Sequence, residues 1–100
     1  MTYRVEYTET ARDDLYRIGD YLREQAGDAT AERFIRRLIA KADSLSFMPE
    51  RYRERRELQP GLRAVLVEKY LLFYLIDNRT VSIIRVLHGA RDITAEIFTG

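Results

Sequence analysis

The chain has 100 residues, of which 46% are hydrophobic and 33% are charged, and its formal net charge is +1. This composition is typical of one globular domain spanning residues 1–100 and excludes a disordered chain. A charge of +1 is small for a protein that relies on long-range attraction to nucleic acid. With no cysteine, one histidine and no glycine-rich phosphate loop, the sequence predicts no metal site and no cofactor.

The N-terminal segment predicts a strand followed by a helix. Residues 3–7 alternate apolar and charged side chains, as in a half-buried strand. Thr10, with Asp13 three residues later, resembles a capping box. An apolar stripe then predicts a helix that stops at Gly27; its members are Ala11, Leu15, Ile18, Leu22 and Ala26. No stretch has the length and apolarity of a signal peptide or a membrane span, so we expect a cytoplasmic protein without membrane contact.

A second helix should follow after about three residues, which makes an antiparallel helical hairpin. Asp28 or Thr30 is its candidate cap. Because Pro49 disfavours helical backbone at the preceding residue, we expect the helix to end near residue 46 or 47. Its apolar stripe comprises Ala31, Phe34, Ile35, Leu38, Ile39, Ala42 and Leu45.

The second half of the chain predicts three strands: LRAVLVE (62–68), YLLFYLID (70–77) and VSIIRVLH (81–88). Short breaks between them indicate two successive hairpins, hence an antiparallel meander. A tail from Gly89 to Gly100 is expected to hold one or two further helical turns around residues 93–98.

These elements predict an α+β fold of order β-α-α-β-β-β, with the helical hairpin packed on one face of a mainly antiparallel sheet. The central strand is apolar on both faces: Leu71, Phe73 and Leu75 point one way, and Leu72, Tyr74 and Ile76 the other. Since the helices cover only one face, we expect the other to be an apolar docking surface.

The polar cluster at the end of the last strand holds the only histidine, His88. An imidazole suits acid–base chemistry near neutral pH. His88 has no Ser, Cys or second His partner nearby in sequence, so a structural hydrogen-bonding role is the competing interpretation.

Three arginines, Arg63, Arg85 and Arg91, could converge on the sheet and bind phosphate or a developing negative charge. The alternative is ordinary ion pairing, with Glu68 and Asp92 as the expected partners. The residues alone leave both interpretations open.

Four segments in this order resemble the toxins of the RelE/ParE superfamily of type II toxin–antitoxin modules. They are YTETARDDLYRIGDYL (7–22), MPERYRER (48–55), GLRAVLVEKYLLFYLI (61–76) and VSIIRVLHGARDI (81–93). The resemblance spans nearly the whole chain, and the ending RVLHGARDI is similar to that of ParE-like proteins. It implies the superfamily's α+β fold.

The resemblance also implies one of two activities. ParE-like members inhibit DNA gyrase by binding it, and the target-binding candidates are then Arg63, Arg85, His88, Arg91 and Phe98. RelE-like members are endoribonucleases that cut mRNA in the ribosome, for which Arg63, Arg85 and His88 would be the catalytic set. The tyrosine expected after the last strand of a ribonuclease is missing, since Phe98 is the one late aromatic. We therefore favour the ParE-like branch, which has no catalytic residues.

A cognate antitoxin is the further partner that the resemblance implies: a ParD-like protein, with a ribbon-helix-helix domain, that forms a hetero-oligomer with the toxin. It would wrap a flexible segment around the toxin, and operator DNA would be contacted only through the antitoxin. The candidate antitoxin-binding residues are Leu15, Ile18, Leu22 and Tyr74.

Overall fold

The computed structural model describes residues 2–99 and shows two helices packed on one face of a four-stranded sheet. The strands are β1 (Arg4–Tyr7), β2 (Arg63–Val67), β3 (Tyr70–Asp77) and β4 (Thr80–His88), and the helices are α1 (Glu9–Ala26) and α2 (Asp28–Ser44). Two short 3₁₀ turns cover Pro49–Arg51 and Ala95–Phe98. The predicted α+β class and element order are confirmed.

The sheet order is β1-β4-β3-β2. Strands β2, β3 and β4 form the predicted antiparallel meander, whereas β1 pairs in parallel with β4. The β2–β3 turn has two residues, Glu68 and Lys69, and the β3–β4 turn consists of Asn78 and Arg79. Positive φ at Glu68 (55°), Asn78 (48°) and Arg79 (65°) is typical of such tight hairpin turns.

The helix ends correct three expectations. Helix α1 is capped by Thr8, whose side-chain oxygen accepts a hydrogen bond from the Ala11 amide at 3.1 Å, so the predicted cap Thr10 lies inside the helix. Thr8 is the first residue after β1, and its extended backbone lets the helix begin at once. Helix α2 starts directly after Gly27 without a side-chain cap and ends at Ser44, two to three residues before the predicted stop.

The helix-covered face of the sheet carries the larger core. Leu72, Tyr74 and Ile76 share this side and are separated from Leu71, Phe73 and Leu75, as the alternation predicted. The Tyr74 hydroxyl donates to the Pro49 carbonyl at 2.6 Å. The buried members are Ala11, Ile18, Leu38, Ala42, Leu45, Val65, Val67, Leu72, Tyr74, Val81, Ile83 and Val86.

The opposite face is not the open docking surface that we predicted, because the chain covers most of it itself. Leu58 and Leu62 of the connector before β2 pack there, and so does Phe98 of the tail, whose ring lies 4.9 Å from that of Phe73. Leu66 of the edge strand β2 stays 60% exposed. The covering segments have no regular apolar period, so sequence patterning did not reveal them.

In the part of the chain that the structure describes, neither helix combines the length and apolarity needed to cross a membrane.

Candidate functional site

Arg85 is held by a buried carboxylate. Its Nε and Nη2 donate to the two oxygens of Asp14 on α1 at 2.8 and 3.0 Å, and the Asp14 side chain is 3% exposed. The hydrogen bond to Asp14 raises the pKa of Arg85 above its ordinary value. The predicted partners Glu68 and Asp92 are wrong for this arginine, since its partner comes from a helix far away in sequence.

Asp14 also closes the free edge of β4. Strand β1 pairs only with residues 80–83, so the edge of β4 beyond them has no strand neighbour on that side. The Val86 amide donates to Asp14 Oδ2 at 2.9 Å, and Thr8 Oγ1 donates to the Ile84 carbonyl at 3.2 Å. Helix α1 and its cap Thr8 thus supply hydrogen bonds that a strand would otherwise make.

Arg63 lies elsewhere and has a different role. It donates from Nη1 to the carbonyls of Glu50 and Tyr52, at 3.1 and 2.6 Å, and so fixes the turn after α2. Arg63 lies on β2 and Arg85 on β4, with β3 between them. Arg63 is bound to the turn after α2 and Arg85 to Asp14 of α1, so the predicted convergence of these two arginines is absent.

His88 lies at the exposed end of β4. Its Nδ1 accepts the Ala90 amide at 3.0 Å, and its ring meets that of Tyr70 edge-on with centroids 5.0 Å apart. The next residue, Gly89, donates to the Lys69 carbonyl at 2.7 Å, and a Cβ at this position would lie only 3.3 Å from that oxygen. The close approach places His88 beside the β2–β3 turn.

Arg91 and His88 do come together. They line a shallow groove of about 200 Å³ between α1 and the end of β4, together with Arg17, Tyr21 and Tyr70. Arg17 is anchored at 2.7 Å to Asp14. Of the predicted target-binding residues, the structure thus groups His88 and Arg91 but leaves Arg63 and Phe98 apart from them.

A larger groove of about 470 Å³ lies on the other side of Tyr70. It separates the helical hairpin from the β2–β3 turn, and its lining residues are Leu22, Thr30, Arg33, Phe34, Arg37, Glu68, Lys69 and Tyr70. Sequence reasoning missed this groove except for Leu22. The charged side of α2 was the one feature of the sequence that could have indicated the groove. The β2–β3 turn that faces α2 lies more than thirty residues later in the chain.

The predicted antitoxin-binding residues divide between surface and core. Leu15 lines an outer groove of about 350 Å³ between α1 and α2, next to Tyr16 and Ile39. Ile18 and Tyr74 are buried in the core instead, with exposures of 8% and 0%. Tyr74 forms no surface that a partner can contact without opening the fold, whereas Ile18 is among the residues that line the groove of about 200 Å³.

Within residues 2–99, no group of three or more His, Cys, Asp or Glu side chains is placed to hold a metal ion.

Comparison with known proteins shows which family the chain resembles. The family described as the ParE toxin of the type II toxin–antitoxin system parDE matches residues 5–93. Toxin ParE3 of Caulobacter vibrioides is 30% identical over 94% of both chains, and toxin RelE2 of the same organism is 37% identical over 88% of this chain and 97% of its own.

Solved structures agree with this fold. A chromosomal ParDE system from P. aeruginosa superposes with a TM-score of 0.78 at 18% identity, covering 87% of this chain and 96% of the other. The RelBE2 toxin–antitoxin complex of Mycobacterium tuberculosis gives 0.70 at 29% identity, covering 91% and 95%. The chain therefore belongs to the ParE toxin family of type II toxin–antitoxin systems.

Proposed function

We propose that this toxin acts by binding DNA gyrase and not by cleaving RNA. The observation that carries the proposal is the engagement of Arg85 by Asp14. A ribonuclease needs cations directed at the scissile phosphate. Here Arg85 is bound to a buried carboxylate and Arg63 to two backbone carbonyls, so both guanidinium groups hold the fold together.

The candidate acid–base groups also support a binding toxin over a ribonuclease. His88 Nδ1 is engaged by the Ala90 amide, and the nearest phenol that packs on the imidazole is Tyr70. Burial raises the pKa of Tyr70 above its usual value near 10, which makes this phenol a poor general base at neutral pH. His88 then contacts the target or stabilises the strand end.

A ribosome-dependent mRNA endoribonuclease of the RelE type is the second candidate. The observation that favours it is the groove in which His88 lies with Arg17 and Arg91, because this set would combine a proton-transfer group with two phosphate-binding cations. The 37% identity to toxin RelE2 adds to it.

Pulse labelling after induction of the chain alone in a bacterial host separates the two. For a gyrase-directed toxin, DNA synthesis stops before protein synthesis, and the purified protein inhibits gyrase supercoiling. His88→Ala should then retain activity within a few-fold, as should the exposed control Arg56→Ala. If translation stops first and His88→Ala lowers ribosomal mRNA cleavage by 10²-fold or more, in the range of a lost general acid or base, the gyrase proposal is wrong.

The proposal includes neutralisation by a cognate antitoxin of the ParD type, with operator DNA contacted by the antitoxin. The outer groove between α1 and α2 supports this part, because Tyr16 and Ile39 beside Leu15 are 71% and 39% exposed. An amphipathic segment would cover these side chains by coupled folding and binding.

Calorimetry with the product of the neighbouring gene tests the antitoxin. We expect Tyr16→Asp to weaken binding by about tenfold or more, as for loss of a central aromatic contact. Arg4→Asp, on the exposed side of β1, is the control and should leave binding unchanged. The absence of any measurable affinity in the unmodified protein would remove the antitoxin from the proposal.

A further inference from the structure

Strand β2 leaves one edge of the sheet open, and we call residues 64–68 the β2 edge. The sheet order places β3 on one side of β2 and, within residues 2–99, no strand on the other. The start of β2 is covered on that side by a bridge between Arg63 and Glu54. The Arg55 amide also donates there to the Leu62 carbonyl at 2.6 Å. The cover ends at this point, so the rest of the strand edge is unpaired.

The hairpin register shows which backbone groups the β2 edge presents. The residues that flank a two-residue turn form a hydrogen-bonded pair, and bonded pairs alternate with non-bonded pairs along an antiparallel ladder. Val67 faces Tyr70 across the turn, so Val67 and Val65 bond to β3. The backbone N–H and C=O groups of Ala64 and Leu66 therefore point away from β3. Within residues 2–99, they form no backbone hydrogen bond outside the sheet.

The other edges of the sheet are protected from pairing. Strand β1 has four residues, and its exposed Arg4 and Glu6 form an ion pair at 3.0 Å. Charged side chains on a short edge strand oppose the addition of another strand. The edge of β4 beyond β1 is occupied by Thr8 and Asp14. Residues 64–67 have no such protection, because they are uncharged and include no proline.

Leu66 adds an apolar side chain to this open edge. It is 60% exposed and lies opposite Leu71, which packs against the core of the second face. An exposed aliphatic side chain beside unpaired backbone groups favours the addition of a further strand, because backbone and side chain are covered in one step.

We infer that two copies of this chain pair through their β2 edges about a twofold axis at Leu66, so that the two sheets become one. A twofold contact uses the same residues of both copies, and the β2 edge is self-complementary in this sense. With Leu66 opposite Leu66 of the second copy, the outward backbone groups bond to each other and the two exposed side chains meet on one face.

The covered start of β2 selects this register. An axis at Leu66 places Ala64 opposite Glu68 of the second copy, so each strand ends before the bridge at Arg63. An axis at Val65 would instead place Val67 of one copy opposite Arg63 of the other, where residues 54 and 55 already lie. The inference is independent of whether gyrase or the ribosome is the target.

Sedimentation velocity of the purified chain over a range of concentrations tests the pairing. Two short strand edges bury little surface, and interfaces below about 1,200 Å² are typical of weak association. We therefore expect a reversible dimer that forms at about 100 µM and dissociates at about 1 µM.

Two substitutions at Leu66 locate the contact. Proline has no amide N–H, and the N–H of Leu66 points away from β3, so Leu66→Pro removes a donor of the dimer and leaves the β2–β3 ladder intact. Leu66→Lys places a charge on the edge. Each should weaken dimerisation about tenfold or more, whereas Phe47→Lys should change it no more than about twofold. Phe47 is the matched control because it is 58% exposed and lies outside the sheet. Circular dichroism verifies folding, and Leu66→Lys decides the test if Leu66→Pro does not fold.

A single introduced cysteine tests the register, since the sequence has none of its own. In a hydrogen-bonded antiparallel pair the two Cα atoms lie about 5.5 Å apart, within the range of about 4.4 to 6.8 Å that a disulfide spans. Under mild oxidation, Leu66→Cys should therefore form covalent dimers about tenfold faster than Phe47→Cys.

Four outcomes overturn the inference. The first is a chain that stays monomeric at about 100 µM, which would leave the edge to a strand of another protein. The second is equal dimerisation of Leu66→Lys and Phe47→Lys. The third is cross-linking of Leu66→Cys no faster than that of Phe47→Cys. The fourth is a mass that grows beyond that of a dimer, which would mean open-ended aggregation.

Discussion

The face of the sheet beneath α1 and α2 is covered by two amphipathic helices, whereas the opposite face is covered by irregular chain from the connector and the tail. The helical cover is also fixed by polar bonds, since Asp14 joins α1 to Arg85 and to the Val86 amide of β4. In the described chain, every hydrogen bond donated from Ala90 onward reaches a partner within three residues. The tail therefore depends on apolar contact alone.

This difference predicts unequal stability of the two covers. Segments with few long-range hydrogen bonds open at lower free energy than the body of a domain. We expect the tail to separate from the sheet without unfolding α1, so that the second face can become accessible while the fold persists. Four substitutions test this difference between the two covers.

Asp14→Ala should have the largest effect. It leaves the Arg85 guanidinium, whose side chain is 16% exposed, without its partner and removes the acceptor of the Val86 amide. Loss of one partner of a buried pair costs about 3 to 5 kcal/mol of unfolding free energy. Urea unfolding measures it, and the exposed neighbour Asp13→Ala is the control at under about 0.5 kcal/mol. A loss below about 1 kcal/mol for Asp14→Ala would mean that α1 is not fixed by this bond.

Phe98→Ala tests the tail cover. The half-buried ring packs on Phe73, so we expect a loss of roughly 2 kcal/mol, less than for a fully buried phenylalanine. Hydrogen exchange should accelerate in the tail and connector and not in α1. Phe47→Ala, at a ring 58% exposed, should cost little. Faster exchange in α1 as well would show that the two covers open together.

Tyr74→Phe removes the hydrogen bond to the Pro49 carbonyl and should cost about 1 kcal/mol at neutral pH. Burial raises the pKa of Tyr74 to about 12. The unfolded chain loses this proton near pH 10 while the folded chain keeps it, so the contribution is present below about pH 10 and is lost between about pH 10 and 12. Phenolate absorbance should show a last step near pH 12 that Tyr74→Phe lacks and Tyr16→Phe keeps. A last step unchanged in Tyr74→Phe would contradict the assignment.

Thr8→Ala should have an effect about as small as that of Tyr74→Phe. The substitution removes the side-chain cap of α1 and the hydrogen bond to the Ile84 carbonyl. We expect it to lower the free energy of unfolding by about 1 kcal/mol. Thr10→Ala, at the position that the capping-box pattern indicated, should stay within about 0.5 kcal/mol. Thermal unfolding of the two variants measures the difference. A larger loss of stability in Thr10→Ala than in Thr8→Ala would contradict the assignment of Thr8 as the cap.

Much of the fold was predictable because its signals are local. The period of the apolar residues predicted both helices and all four strands, and the alternation along β3 correctly separated Leu72, Tyr74 and Ile76 from Leu71, Phe73 and Leu75. The helix starts were less accurate, since Thr8 and Thr10 are both good caps and only the end of β1 selects between them.

The candidate site was less predictable. Arg85 was predicted as a site residue, but its partner Asp14 lies 71 residues away on a different element. Lys69 and Arg33 drew no attention because each is an ordinary exposed cation until the β2–β3 turn meets α2. The spacing of these residues along the chain does not predict that the β2–β3 turn lies against α2.

The sequence by itself determined the elements and their order, because periodicity and turn chemistry act over a few residues. The family followed from the resemblance of four segments to known toxins. The tertiary structure alone decided that Asp14 engages Arg85 and that the tail covers the second face. It also decided that Arg33, Lys69 and Arg91 lie around Tyr70 with no ion-pair partner among residues 2–99. Such pairings join residues from distant parts of the chain, and only the packed fold sets the distances between them.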